Sequence, residues 1–146
     1  MRLFFLTIFG IAFGYLEAIV VVYIRRILPG DAWSHIHSID AVSNFLIKHK
    51  MLFIEQTREV STIVILLTIA IMAGVRIKER IAYFLWVFGI WDIFYYIFLY
   101  IWLKWPRSIF DFDILFLIPS PWIAPCILPI GCSILFLWTA LLLLKH

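Results

Sequence analysis

Four long apolar stretches dominate the sequence, and each has the length of one membrane crossing. They cover residues 3–24, 51–75, 81–103 and 122–144. An α-helix rises about 1.5 Å per residue, so about 20 apolar residues cross the roughly 30 Å hydrocarbon core of a bilayer. Backbone N–H and C=O groups find no water in lipid, so each stretch must be helical, and four segments are too few for a closed β-barrel. We therefore predict an all-α polytopic membrane protein with four transmembrane helices in a single domain, residues 1–146.

The composition excludes the soluble classes of protein. Hydrophobic residues make up 65% of the chain and charged residues 14%, against about 45–50% and about 25% in soluble domains. The net charge of +3 is typical of the Lys and Arg residues that flank membrane spans, so no nucleic-acid partner is predicted. Cys126 and Cys132 lie six positions apart in an apolar run and are interpreted as packing residues. The first apolar run contains Glu17 and ends at Arg25 and Arg26 without a cleavage site, which indicates a retained helix rather than a signal peptide.

The connections between the spans differ in character. Residues 76–80 form a short basic turn, which forces spans two and three into an antiparallel hairpin. Between spans one and two, apolar residues recur at every third position over about 32–47, which predicts an interfacial amphipathic helix. These residues are Trp33, Ile36, Ile39, Val42 and Phe45. Between spans three and four, Ser108 and Asp111 have capping-box spacing and Pro119 ends the run, so residues 109–118 are predicted as a second interfacial helix or a re-entrant segment.

Charges at the ends of the spans indicate an orientation. Five basic residues fall on the side of the termini and the short turn, and six on the other side. Three of the five lie in the short turn, and short cytoplasmic loops are enriched in Lys and Arg. We therefore predict cytoplasmic termini.

Ionisable and tyrosine side chains converge in one half of the predicted bundle. Antiparallel helices place Glu17, the 55–59 segment and the middle of span three at related depths, and the connections add acidic and histidine residues above them. We predict a lidded polar pocket formed by Glu17, Glu55, Arg58, Glu59, Asp92, Tyr95, Tyr96 and Asp113. Tyr100, Asp111, His35 and His37 are expected near the same end of the bundle.

Small residues and prolines define the expected helix faces. Gly10, Gly14 and Ala18 form a stripe that lets another helix approach closely, and Glu17 lies beside it. Gly89, Asp92 and Tyr96 share a face of span three. Prolines 121, 125 and 129 are predicted to share one face of span four, where missing amides would leave backbone carbonyls free to line the pocket.

The charge balance of the spans requires compensation. Four embedded carboxylates face a single arginine, and an ionised side chain at the bilayer centre costs about 2.5–3.5 kcal/mol on insertion scales. Protonation, water, a bound cation or a partner chain must reduce this surplus of negative charge. A structural interpretation stays open, in which Arg58 pairs with Glu17 or Glu59 and Asp92 bonds a tyrosine to fix the helix register.

Several functions are compatible with this pocket. Glu17, Glu55, Glu59 and Asp92 are candidate oxygen ligands, but the Glu-x-x-His pair of di-iron bundles is missing, so no metal is predicted and no cofactor is required. Carboxylates in lipid suit a proton or cation pathway, although no inverted repeat indicates a transporter. An enzyme would use a carboxylate as acid or base on a lipid entering beneath a tryptophan rim. That rim comprises Trp33, Trp102, Trp105 and Trp122.

Several segments resemble an uncharacterised group of small bacterial four-helix membrane proteins. They are Gly14–Ala18, Arg58–Glu59, Trp91–Asp92 with Tyr95–Tyr96, Pro106 and Ser108 ahead of Asp113–Phe116, and Pro119, Pro121 and Pro125 around Trp122. The resemblance covers most of the chain and implies the four-helix architecture and a bacterial inner membrane, but it carries no activity.

The sequence therefore predicts an integral membrane binding or coupling component with a carboxylate, arginine and tyrosine pocket in one leaflet. Its expected partners are membrane lipid and either further copies of itself or other membrane subunits. The alternatives are a membrane-embedded enzyme acting on a lipid or other apolar substrate, and a small proton- or cation-coupled transporter.

Overall fold

The computed structural model describes residues 1–27, 47–48 and 50–145. Its long helices are α1 (Arg2–Ile27), α2 (Leu52–Ala73), α3 (Ile77–Leu103) and α4 (Ile127–Lys145), with strands β1 (Phe112–Phe116) and β2 (Trp122–Pro125) between α3 and α4. All four helices are long and apolar enough to cross a membrane. The predicted fold class, a four-helix integral membrane protein, is confirmed.

Helix α3 is the centre of the bundle and contacts the other three helices. The predicted small-residue stripe of α1 lies against it. A Cβ atom added to Gly14 would lie 2.8 Å from the carbonyl oxygen of Trp91, and one added to Gly10 would lie 2.7 Å from the side chain of Ile90. Ala18 is fully buried in the same interface. Without a hydrophobic force between helices in lipid, such close backbone approach supplies the packing energy.

The remaining helices pack on other faces of α3. On the α4 side, a Cβ atom added to Gly89 would lie 2.9 Å from the carbonyl oxygen of Ser133. Helix α2 packs through Leu66 and Ala70, which share a buried cluster with Val87 of α3. These contacts lie in the half of α2 next to the short turn, and the polar first half of α2 borders the cavity described below.

The connection between α3 and α4 is a β-hairpin, which corrects the predicted interfacial helix. Strands β1 and β2 are antiparallel, with Asp113 opposite Ala124 and an irregularity between Ile114 and Phe116. Asp111 does not cap a helix. Its carboxylate accepts hydrogen bonds from the backbone N–H groups of Arg107 and Ser108 at 2.7 and 3.1 Å. Acidic side chains bond local backbone in turns as readily as at helix starts, so the spacing alone did not separate the two structures.

Helix α4 begins at Ile127, later than the predicted residue 122. Pro121 and Pro125 precede the helix, and only Pro129 lies in it. The predicted proline face of span four is therefore wrong. Proline fits the first turn of a helix, where its missing N–H group has no helical acceptor. The predicted interfacial helix over about 32–47, with Trp33, His35 and His37, lies outside the described residues except for its last position.

Candidate functional site

A cavity of about 360 Å³ lies between the four helices at the hairpin end of the bundle. Helices α1 to α4 form its sides, and β1 with the residue that follows it, Leu117, lies across its end. The structure brings all eight predicted pocket residues to this one cavity: Glu17, Glu55, Arg58, Glu59, Asp92, Tyr95, Tyr96 and Asp113. Their placement together follows from the geometry, and their function stays a prediction.

The Arg58 guanidinium joins α1 to α2 through two carboxylates. It pairs with Glu17 of α1 and, through Nε, with Glu55 one turn earlier on α2 at 2.8 Å. The hydroxyl of Thr62 donates to Glu17 at 3.0 Å. The side chains of Glu17 and Glu55 are only 12% and 10% exposed. Arg58 therefore serves both carboxylates and leaves one of their two negative charges uncompensated. Its pairing with Glu17 is the one that the structural interpretation of the sequence predicted.

A second ion pair ties the hairpin to the bundle. Asp113 of β1 lies 3.5 Å from an Arg25 nitrogen and accepts a hydrogen bond from the Tyr96 hydroxyl at 3.0 Å. The Arg25 guanidinium stacks 3.8 Å above the ring of Trp105. Burial raises the pKa of Asp113, and Arg25 and the Tyr96 hydrogen bond act in the opposite direction. Sequence reasoning placed Arg25 among the flanking cations and missed its role here. The available signal was that Arg25 lies two helical turns after Glu17, and so on the same face of the helix.

Glu59 binds the backbone of the hairpin. Both of its carboxylate oxygens lie within 2.9 Å of the Leu117 N–H group, and the side-chain amide of Gln56 donates to the Leu117 carbonyl at 3.2 Å. The predicted alternative pairing of Arg58 with Glu59 is absent among the ion pairs of the described residues, because Arg58 is taken by Glu17 and Glu55. Sequence reasoning missed Gln56, whose amide lies beside the charged residues of α2.

Asp92 joins α3 to α4 through a serine. The hydroxyl of Ser133 donates to the Asp92 carboxylate at 2.7 Å. The predicted tyrosine partner of Asp92 is wrong, since the Tyr96 hydroxyl bonds Asp113 instead. Ser133 is buried at the point where Gly89 lets α4 approach. A single serine in an apolar helix gave too weak a signal to be selected from the sequence.

Five carboxylates and two guanidinium groups line the cavity. If all were ionised, the cavity would carry a formal surplus of three negative charges. Glu17, Glu55 and Asp113 have guanidinium partners, whereas Asp92 and Glu59 have none within 4.0 Å in the described part of the chain. Within residues 1–27, 47–48 and 50–145 no three His, Cys, Asp or Glu side chains are grouped closely enough to hold a metal ion.

Two aromatic residues of α3 line the cavity beside Asp92 in the sequence. Trp91 is 8% exposed, and its indole N–H group has no hydrogen-bond partner among the described residues. Because the indole nitrogen is fully buried, it is not open to a molecule in the cavity. Tyr95 is half-buried, and its ring packs 5.1 Å from that of Tyr96.

The cavity is open on the side of α4. Trp122, Leu128 and Cys132 line it and are also exposed. Leu128, Cys132 and Phe136 are spaced four residues apart and so form one stripe along α4. Because α4 is a candidate membrane span, this opening faces lipid along the stripe.

Some residues expected near the pocket lie elsewhere. Tyr100 is 54% exposed and does not line the cavity, and Asp111 serves the turn before β1. Of the predicted tryptophan rim, Trp122 lines the cavity, Trp105 packs near Tyr96, and Trp102 is exposed away from the lining. Trp33, His35 and His37 lie outside the described residues.

Comparison of the chain with protein-family models, with curated proteins and with solved structures finds no match. The functional argument therefore depends on the geometry of this cavity.

Proposed function

We propose that this integral membrane protein binds the polar head of a membrane-dissolved molecule in the cavity between its four helices. The observation that carries the proposal is the gathering of five carboxylates and two guanidinium groups around one space of about 360 Å³. Ligand pockets in proteins typically measure about 300–1,000 Å³ and combine apolar walls with a few convergent polar groups.

A purely structural network accounts for part of this arrangement. The Arg58 and Arg25 pairs hold helices and hairpin together and give Glu17, Glu55 and Asp113 guanidinium partners. Structural pairing, however, requires no empty space. A cavity of this size has room for about 12 water molecules at roughly 30 Å³ each, and two of its carboxylates, Asp92 and Glu59, have no guanidinium partner among the described residues. These features support a site with an occupant.

The opening along α4 supports entry from the lipid phase. An amphiphile can place its head group among the carboxylates and its hydrocarbon chain along the stripe of Leu128, Cys132 and Phe136. The aromatic walls, which include Phe88 and Trp91, suit the apolar part of such a molecule. We propose that the protein acts as a binding or coupling component, with its polar pocket in one leaflet.

Native mass spectrometry of the gently extracted protein tests this proposal. We expect the wild-type protein to retain a bound amphiphile as a discrete added mass. Cys132→Phe places a ring in the opening and should remove that mass. Ile134→Phe is the matched control, because Ile134 is 57% exposed on the same helix and does not line the cavity.

Loss of the added mass in Cys132→Phe alone would support binding in the cavity. A protein that carries no added mass, or equal added mass in all three forms, would contradict the proposal.

A further inference from the structure

Two of the five carboxylates of the cavity, on different helices, have no guanidinium partner among the described residues. The third negative charge of the surplus belongs to Glu17 and Glu55, which share Arg58. Asp92 of α3 accepts a hydrogen bond from a neutral hydroxyl, and Glu59 of α2 accepts one from a neutral backbone N–H group. An ionised carboxylate has about four acceptor sites, so each has further capacity for a donor. The guanidinium groups of the cavity are already engaged by Glu17, Glu55 and Asp113.

The walls beside these carboxylates are aromatic. Phe88, Trp91 and Phe136 line the same cavity as Asp92, and the rings of Phe88 and Trp91 meet edge to face at 5.1 Å. Aromatic faces attract ammonium groups, and this attraction is larger where water is excluded. An anionic head group has no such attraction to aromatic faces and would be repelled by the five carboxylates.

We propose that the ligand of this cavity is an amphiphile with an ammonium head group, bound by Asp92 and Glu59 as counter-ions and reached from lipid through the opening at Cys132. This inference rests on the proposed function and names the chemical class of its ligand. The two Arg58 and Arg25 networks hold the walls in place and do not contact the ammonium group.

Three amphiphiles of equal chain length distinguish the head-group charge. Dodecylamine is protonated near neutral pH, dodecanol is neutral and dodecanoate is anionic. The assay measures the rate at which N-ethylmaleimide alkylates Cys132 in the purified protein, since an occupant of the opening shields that thiol. A control protein with Cys132→Ser and Ile134→Cys carries a thiol at the lipid-facing position of the same helix and reports any general effect of the amphiphile on labelling.

We expect dodecylamine to slow alkylation of Cys132 at concentrations at least about tenfold lower than dodecanol or dodecanoate. Asp92→Asn and Glu59→Gln should each raise the protecting concentration of dodecylamine by about tenfold or more, which corresponds to about 1.4 kcal/mol. Both amides keep an acceptor oxygen for Ser133 and Leu117, so the fold is retained. Glu79→Gln is the matched control, because Glu79 bonds Arg76 and Val75 at the opposite end of the bundle.

The outcomes separate the two proposals. Equal protection by dodecanol and dodecylamine would overturn the ammonium inference, as expected if Asp92 and Glu59 were held protonated, and would leave amphiphile binding intact. Protection by dodecanoate in preference to dodecylamine would do the same. Protection by none of the three, with no added mass in the native spectrum, would overturn both proposals. Protection by dodecylamine that is unchanged in Asp92→Asn and Glu59→Gln would show that these carboxylates are not its counter-ions.

Discussion

Replacing Arg58 by alanine removes the guanidinium that bridges Glu17 of α1 and Glu55 of α2. The Arg58 side chain is 26% exposed, and its two partners are 12% and 10% exposed. Removal of one member of a buried ion pair costs about 3–5 kcal/mol, because the remaining charges stay buried without compensation. The Arg58 side chain faces a cavity that holds polar groups, so we expect the lower end, a loss of about 3 kcal/mol. Each 1.4 kcal/mol is a factor of ten in an equilibrium constant, so this loss raises the unfolding constant by about 100-fold.

The free energy of unfolding can be measured by titrating the protein in mixed micelles with sodium dodecyl sulfate and following tryptophan fluorescence. Arg107→Ala is the matched control, since it makes the same change at an exposed side chain before β1, and we expect it to stay within about 0.5 kcal/mol of wild type. Adding Glu17→Gln to Arg58→Ala should recover part of the loss, because it removes one stranded charge. Equal stability of the Arg58→Ala and Arg107→Ala proteins would refute the reasoning, as would a double variant less stable than Arg58→Ala.

Three further predictions follow from the packing and the titratable groups. Gly14→Ala should destabilise the bundle, because the new Cβ atom would lie 2.8 Å from the Trp91 carbonyl oxygen. Gly131→Ala is the control: its new Cβ atom would have no neighbour within 4 Å, so it should be neutral or stabilising in the same titration. Burial raises the pKa of Asp113 above its ordinary value of 3.8, and Arg25 and Tyr96 act in the opposite direction. The folded protein therefore binds the carboxyl proton of Asp113 more tightly than the unfolded chain does. The stability contributed by this proton is lost as the pH rises from about 3.8 through the raised pKa. Asp113→Asn should remove this part of the pH dependence, and identical pH profiles for the two proteins would contradict it. N-ethylmaleimide should label Cys132, which is exposed, and spare Cys126, which is fully buried. Burial raises the pKa of the Cys126 thiol to about 12, with Asp113 and Asp111 adding to the effect, and the thiolate is the reactive form. Labelling that persists in Cys132→Ser would contradict this expectation.

The helical architecture was predictable because the membrane limits what an apolar chain can do. Twenty apolar residues in lipid must bond their own backbone, and this requirement acts segment by segment. A close approach of another helix to α1 was also visible in the sequence, since Gly10, Gly14 and Ala18 recur at helical spacing; that the neighbour is α3 was not. The hairpin was not visible. Ser108 and Asp111 have the spacing of a helix cap, and only pairing between residues 6 to 13 positions apart decides for strands.

The site was predictable as a group of residues but not as a set of pairs. Charged side chains are costly in lipid and therefore turn inward, so antiparallel spans at known depth bring Glu17, Glu59 and Asp92 to one end of the bundle. Which group each carboxylate bonds depends on the rotation of each helix about its axis and on the hairpin. Arg25, Gln56 and Ser133 became partners of the site through those features, and each looked ordinary in the sequence.

The sequence by itself determined the number of membrane helices, a small-residue contact surface on α1 and the gathering of polar residues at one end of the bundle, because each follows from local periodicity and from the cost of exposing polar groups to lipid. The tertiary structure alone decided that the pocket is a cavity with an opening along α4 and that a hairpin lies across its end. It also decided that, among the described residues, Asp92 and Glu59 lack the guanidinium partners that Glu17, Glu55 and Asp113 have. The physical reason is that a space and a charge pair are properties of surfaces that meet, and the surfaces of separate helices meet only after the chain has folded.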